Sequence, residues 1–555
     1  MKNQRPTDPA TIDNPARLSA LQQSTQRRAM LAGLGGMAAG ALLARNARAG
    51  ELDPPAGPIA PTMKRLDEVE PRTPIGPDTT PGIASNATYQ ITESGSYYLT
   101  GDVLGETGKH GILVSSSAAY VVINLNGFTL LGESGSFAGI FSQASRIVVR
   151  DGQIRGWGAR GINGTNTSVT LEDLLVEGNL LGGASGGVNV ASRARRCAFL
   201  NNSGWGLNVG IGSVVESVRA EGNTPAASIG AAGDGIIVRA DSLVERCIAR
   251  NNAGDGVRGD NGYTARMTTS AGNAGHGFSA GGAPSDPGTP NFNAAPVTVE
   301  TCDARDNTKD GFNLGDGSIA IGCRSMDNSQ SGFASGDSTV LQECVASGNG
   351  QIGIIVRKAS TISGCTAWQN DSHGILASQC STIIGCAAYE NTLSGFVSIF
   401  SGTAQDGEVL ISECIASANG RYGFECRAGG MISGCVARRN FRHGFYVQYS
   451  TDVRECRAVQ NGVDTTSAGF FCINSAGTRL SNNTSFSNPV GFQASTGSST
   501  GGFLHGNIAR ANTTNWIINA TNRAFVVNST PNTEISGNNG GTPIGSTEPW
   551  VNFTF

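Results

Sequence analysis

Eight cysteines set the register of this chain. Cys302, Cys323, Cys344, Cys365 and Cys386 are 21 residues apart; Cys414 follows after 28, and Cys435 and Cys456 after 21 each. Five residues beyond each stands an asparagine: Asn307, Asn328, Asn349, Asn370, Asn391, Asn419, Asn440 and Asn461. Four residues further comes Gly with an apolar partner, from Gly311-Phe312 to Gly444-Phe445, and the last unit is stretched to Gly469-Phe470. Looser copies run upstream through Asn179, Asn202, Asn223, Cys247 and Asn273, and downstream through Asn488 and Asn512.

A period of 21–24 residues is too short for a pair of stacked helices. The intervening residues are small or β-branched, alternate in polarity and are broken by Gly and Asn, as in Ser338 to Cys344. Each repeat therefore reads as two or three short strands joined by tight bends, one turn of a β-solenoid. The predicted fold is all-β, a single-stranded parallel β-helix of roughly fifteen rungs, on the order of 70 Å long at about 4.8 Å per rung. Equivalent residues then stack in columns. Cys is expected to fill one column as a small hydrophobe. Asn is expected at a bend, in the left-handed region, with its amide satisfying backbone groups along the column. Gly is expected to allow the next bend.

The thiols are expected to stay free. Their number is odd, 13, no CxxC pair occurs, and parallel Cβ vectors about 4.8 Å apart do not suit a bridge. Composition narrows the partners. The formal net charge is −4 and no basic run follows the leader, which argues against nucleic acid.

At the start, Arg27-Arg28 precede a mildly apolar stretch, Ala29 to Ala44, and the small residues Ala47 and Ala49. Residues 1–49 are thus read as a twin-arginine-type signal, and the chain as exported to the periplasm or beyond. The stretch is too short for a membrane span. Residues 50–88 form a Pro-rich linker in which Met63 to Glu70 suits a short capping helix, residues 89–535 the β-helix, and residues 536–555 a tail. Its alternating Trp550 to Phe555 reads as a closing strand over the last coil.

The Cys/Asn/Gly-Phe rungs resemble those of the right-handed parallel β-helix, pectin-lyase-like superfamily. Ile91 to Thr100, Ile123 to Gly132 and Glu548 to Phe553 resemble exported bacterial members of unassigned activity. The resemblance covers about residues 90–550 and implies fold, not chemistry. Known members include polysaccharide lyases, polygalacturonase-type hydrolases, uronan epimerases and tailspike glycosidases. The paired Asp of the hydrolases and the Asp-Pro-His of the epimerases are absent here. Gly275-His276-Gly277 matches a hydrolase motif, but His276, His373 and His443 all fall three residues after a rung Asn. They are expected to be turn residues on a solvated edge.

Stacking arithmetic supplies other candidates. Five residues past the rung Gly stand Asp316, Asp337, Lys358 and Gln379, one per coil, with Arg357 one position earlier. Stacked carboxylates repel unless a proton or cation intervenes, so Asp316 and Asp337 are candidate Ca²⁺ ligands. Lys358 and Arg357 are candidate catalytic groups, as base or as clamp on a uronate carboxylate. Asp310 and His373 are candidate substrate contacts. Cys302, Asn307, Cys323, Asn328, Cys344, Asn349, Cys365 and Asn370 are assigned to the structural repeat. Insertions at Gly281 to Pro296 and Phe400 to Glu408 would flank the same face, five rises or about 24 Å apart. These features point to a protein that acts on or binds acidic polysaccharide, lyase-like if catalytic. A non-catalytic structural or adhesive surface rod stands as the alternative. A metal-loading role lacks the soft-ligand cluster it needs.

Overall fold

The computed structural model describes residues 72–554 apart from 84–85, 261, 282–294, 400–407, 428, 474–476, 496–501, 520–521, 525, 529–534 and 538–550. The expected signal, the Met63–Glu70 helix and most of both insertions lie outside the described residues. What is described is a parallel β-solenoid of about 19 turns, more than the repeat count suggested. The extra coils are early ones, such as Ile140–Ser142 and Ile162–Gly164, whose strands stack in register although they lack the Cys/Asn signature.

Each typical coil contributes two strands to one bent sheet and one to a second, single-strand sheet. In the coil that begins at Val340, these are Val340–Gln342, Val345–Ser347 and Ile354–Val356. Pairing is parallel with a 21-residue step: Leu341 opposes Ile362, Ala346 opposes Ala367 and Ile354 opposes Ile375. The core is thus a set of columns. One is aromatic, with Phe396, Phe424, Phe445, Phe470, Phe492 and Trp516 stacked at 4.5–4.8 Å between centroids.

The bends assign the repeated residues differently from the sequence reading. The left-handed residue is the one before each Cys and each Asn, as at Glu343 (φ 54) and Gln369 (φ 53), not the Asn itself. The Asn side chain turns inward and builds a ladder. Asn349 donates its amide N–H and its Nδ2 to Asn370 Oδ1 (3.1 and 3.0 Å), and its Nδ2 also donates to the Ser325 carbonyl (3.2 Å). The Gly is a matter of close approach rather than of φ. A Cβ on Gly353 would lie 2.6 Å from Asn370 Nδ2 and 2.7 Å from the Gly374 carbonyl.

The eight repeat cysteines, Cys302 to Cys456, form a parallel ladder of free, buried thiols, as expected, whereas Cys380 lies outside it and is exposed. The Cys344 amide donates to Cys365 Sγ (3.4 Å), and the Cys365 amide to Cys386 Sγ (3.4 Å). Asn483, Asn507 and Asn552 continue this column. Asn552–Thr554 adds a parallel strand beside Ile508. At the other end, parallel pairing already begins at Thr73–Ile75, inside the Pro-rich stretch.

Candidate functional site: a two-column face

Chemistry concentrates in two adjacent columns of the single-strand sheet. The first, here the wall, is the residue just before each rung Gly: Asp234, Asp255, His276, Asp310, Ser331, Ile352, His373, Ser394, Tyr422 and His443. Of the five histidines of the chain, three fall in this run, and His110 holds the same place before Gly111. The second, the floor, is the residue after each inward Phe or Ile, and it points away from the core. It runs Arg258, Ser279, Asn313, Ala334, Ile355, Leu376, Val397, Glu425, Tyr446 and Phe471, each paired in register with the next. The floor is recessed: Ala334, Leu376, Val397 and Glu425 are buried despite pointing outward. On the bent sheet, by contrast, outward Ile319, Ile384 and Ile415 are exposed.

Wall side chains cap the next coil. Asp234 Oδ1 accepts the Asp255 amide (2.8 Å) and Asp255 Oδ1 the His276 amide (2.8 Å). Asp310 Oδ1 accepts the Ser331 amide (2.9 Å). His373 Nδ1 accepts from Ser394 N–H (3.2 Å), and His443 Nδ1 from Ala468 N–H (2.9 Å). The histidines are therefore half-buried caps rather than solvated turn residues. Burial lowers the pKa of His373, and that of His443 to about 4, because a protonated ring would lose solvation. With Nδ1 accepting, the single ring proton of each neutral imidazole sits on Nε2, which is then a donor.

The densest cluster surrounds Glu425, which is 1% exposed. Its Oε2 accepts from Ser394 Oγ (2.7 Å) and its Oε1 from Arg427 Nε (2.8 Å), with Arg421 3.8 Å away. Arg421 also covers the Tyr422 ring at 4.6 Å. Tyr422, Tyr446, His443 and Phe471 continue the cluster as a stack, with His443 and Phe471 4.3 Å apart. Burial raises the Tyr446 pKa, so its phenol keeps its proton. A buried carboxylate on an outward position is costly, and the equivalent Ala334 and Val397 show that the fold does not need one.

Of the sequence candidates, His373 belongs to this cluster; its electrostatic neighbours include Glu425, Arg421 and Arg427. Asp310 lies lower on the same wall, 3.1 Å from Asn313 Nδ2 and 3.3 Å from His276 Nδ1. Asp316, Asp337, Arg357 and Lys358 are brought together, but at the bend that follows the strand. There Asp316 Oδ1 accepts the Asp337 amide (2.7 Å) and Asp337 Oδ1 the Lys358 amide (3.2 Å), with Arg357 Nε 3.5 Å from the latter oxygen. Each carboxylate thus spends an oxygen on the backbone. Among the described residues no third acidic, His or Cys group joins them. Two partly engaged carboxylates do not make the six-to-eight-oxygen shell of Ca²⁺. Glu425, Arg421, Arg427 and Tyr446 escaped the sequence reading. For Glu425 and Tyr446 the signal was a charged or aromatic residue two places after the rung Gly, where the four preceding coils carry Ala334, Ile355, Leu376 and Val397; Arg421 and Arg427 stand two before and four after Gly423.

A shallow depression of about 620 Å³ lies elsewhere, lined by Gly127, Gly152, Asp173, Arg196 and Ser217. Its Arg196–Asp173 pair is exposed, and nothing there matches the buried polar chemistry of the floor. No helix among the described residues is long and apolar enough to cross a membrane.

Comparison with known proteins gives a family match over residues 352–514, to the right handed beta helix region. No curated protein matches. Among solved structures, the A-module of the Azotobacter vinelandii mannuronan C-5 epimerase AlgE4 is 13% identical, covering 74% of this chain and 85% of its own, with a TM-score of 0.26. The periplasmic alginate epimerase AlgG is 10% identical over 86% of this chain and 80% of its own, with a TM-score of 0.24. Pectate lyase Pel9A is 13% identical over 64% and 68%, with a TM-score of 0.19. By its stacked three-strand coils and side-chain ladders the described chain has the parallel β-helix fold, and residues 352–514 match the right handed beta helix region.

Proposed function

We propose that this protein binds acidic polysaccharide along the wall and floor of the single-strand sheet, after export through the leader around Arg27-Arg28. The observation that carries this reading is Glu425, buried on an outward position and matched by two guanidiniums. One carboxylate against two arginines leaves a positive surplus at the floor, and Arg forks are suited to a uronate carboxylate. His373 and His443 offer Nε2–H donors beside it, and the Tyr422–Tyr446–Phe471 stack forms an apolar side.

The same geometry favours binding over cleavage. Elimination from a uronan needs an unprotonated base at the sugar C5 proton. In this cluster both imidazoles have Nδ1 committed to an amide, the Tyr446 phenol is protonated, and both Glu425 oxygens already accept bonds. The test is a binding isotherm on the full chain with soluble polyuronates, beside an ultraviolet assay for unsaturated product with and without a calcium chelator. Binding that Arg427→Ala abolishes, with flat absorbance, is the expected result. Absence of binding to every acidic polysaccharide would reject the reading and leave a structural rod.

A further inference from the structure

The charge of this face reverses along its length. Around Glu425 one carboxylate meets Arg421 and Arg427, with Arg442 on the bend alongside. Lower down, among the described residues, Asp234 and Asp260 pair with Arg258 and Arg239, Asp310 lies beside His276, Asp255 caps the His276 amide, and Lys309 is exposed on the bend beside Asp310. These groups are not scattered surface charge. Asp234 is 2% exposed and is held by Arg258 Nη1 at 2.7 Å. Asp310 is likewise buried and is bonded to Asn313 on the floor. Seven register steps separate Arg258 from Glu425 in the floor column, about 34 Å at the spacing of parallel strands. Between them the floor is small or apolar: Ser279, Asn313, Ala334, Ile355, Leu376 and Val397.

A polymer lying along both columns therefore meets a positive station, an uncharged stretch and a negative station in turn. A chain with a carboxylate on every sugar would be attracted at the first and repelled at the last. A chain whose acidic residues are spaced by neutral, hydroxyl-rich ones fits both, because the half-exposed Asp255 and Asp260 carboxylates can accept from sugar hydroxyls. Resting on the polysaccharide reading above, we infer that the preferred ligand is a linear heteropolysaccharide in which acidic and neutral residues alternate, with Asp255 and Asp310 weakening, without abolishing, the binding of homopolyuronates. Discrimination of this kind comes from the repulsive element as much as from the attractive one.

The experiment compares binding of the full chain to hyaluronan, acidic on every second residue, and to polygalacturonate, acidic on every residue, at about 0.1 M salt where charges within roughly 10 Å still act. Wild type is expected to prefer hyaluronan by roughly tenfold, a difference of one or two screened charge contacts. Asp255→Asn with Asp310→Asn keeps each capping oxygen and should erase the preference by strengthening polygalacturonate binding. Arg421→Ala with Arg427→Ala should weaken both polymers. Equal binding of the two polymers by wild type, or a preference untouched by the Asp→Asn pair, overturns this inference while the arginine result still upholds the parent reading. Failure of wild type to bind either polymer overturns both.

Discussion

Ser394 Oγ donates to Glu425 Oε2 across 2.7 Å, joining wall to floor between consecutive coils, and both residues are closed to solvent. The bond orients the carboxylate so that its other oxygen faces Arg427. Ser394 is thus a positioning residue for the arginine station rather than a ligand contact. Ser394→Ala should cost about 1.5–3 kcal/mol, the range for a hydrogen bond to a charged group, and should weaken polyuronate binding. Urea denaturation and a binding isotherm on one preparation separate the two effects. Unchanged affinity at reduced stability would show that the bond serves the fold alone.

The Asn ladder predicts a sharp local cost. Asn370→Ala removes the acceptor of two Asn349 donors and the donor to the Ala346 carbonyl, all buried. Each orphaned group costs about 1–3 kcal/mol, so a loss of at least 3 kcal/mol is expected in the urea midpoint. Asn189 supplies a control outside the ladder: it is exposed on a turn, and Asn189→Ala should be nearly neutral by comparison.

Two glycines separate close approach from backbone conformation. Gly353→Ala places a methyl 2.6 Å from Asn370 Nδ2 and should destabilise by more than 2 kcal/mol, an overpacking cost of about 1–3 kcal/mol that the ladder cannot relax. Gly385 has φ 62 and nothing near its Cβ position, so Gly385→Ala should cost only about 1 kcal/mol. Thermal midpoints of the two variants should rank in that order.

Protonation of His443 gives a pH dependence of definite sign. Its pKa in the fold is about 4, below the ordinary 6.5, so the unfolded chain binds the extra proton between those values. Its contribution is fully present above about pH 6.5 and is lost as pH falls toward 4, on the order of 2–3 kcal/mol in all. Asp234 works in the opposite direction, because burial raises its pKa to about 6 and the fold retains that proton. The difference between wild type and His443→Gln, followed by urea titration at pH 7.5 and 5, isolates the imidazole. A difference independent of pH would refute the capping geometry.

Asp316→Asn with Lys358→Ala should leave polysaccharide binding unchanged, since both groups sit at a bend and Asn keeps the capping oxygen. Loss of binding in this double variant would move the site to that bend.

The 21-residue spacing of Cys, Asn and Gly was enough to establish a parallel solenoid with free thiols in one column. The reason is physical: in a fold where each coil rests only on its neighbours, sequence period and spatial stacking are the same quantity. Roles within the bend were less legible. The left-handed position belongs to Glu343 and Gln369 rather than to an Asn, and Gly353 answers to the Asn370 amide one coil on, a contact that no local preference encodes. The site was half legible for the same reason. His373 and Asp310 stood out by type, whereas Glu425 joined them only when the structure showed which side of a three-residue strand faces out and how deeply that face is recessed. Burial, the pairing of Ser394 with Glu425 and the resulting surplus of arginine charge depend on neighbours 31 residues away in sequence and one coil away in space. Those are properties of tertiary packing, which alone turned a repeat position into a charged station.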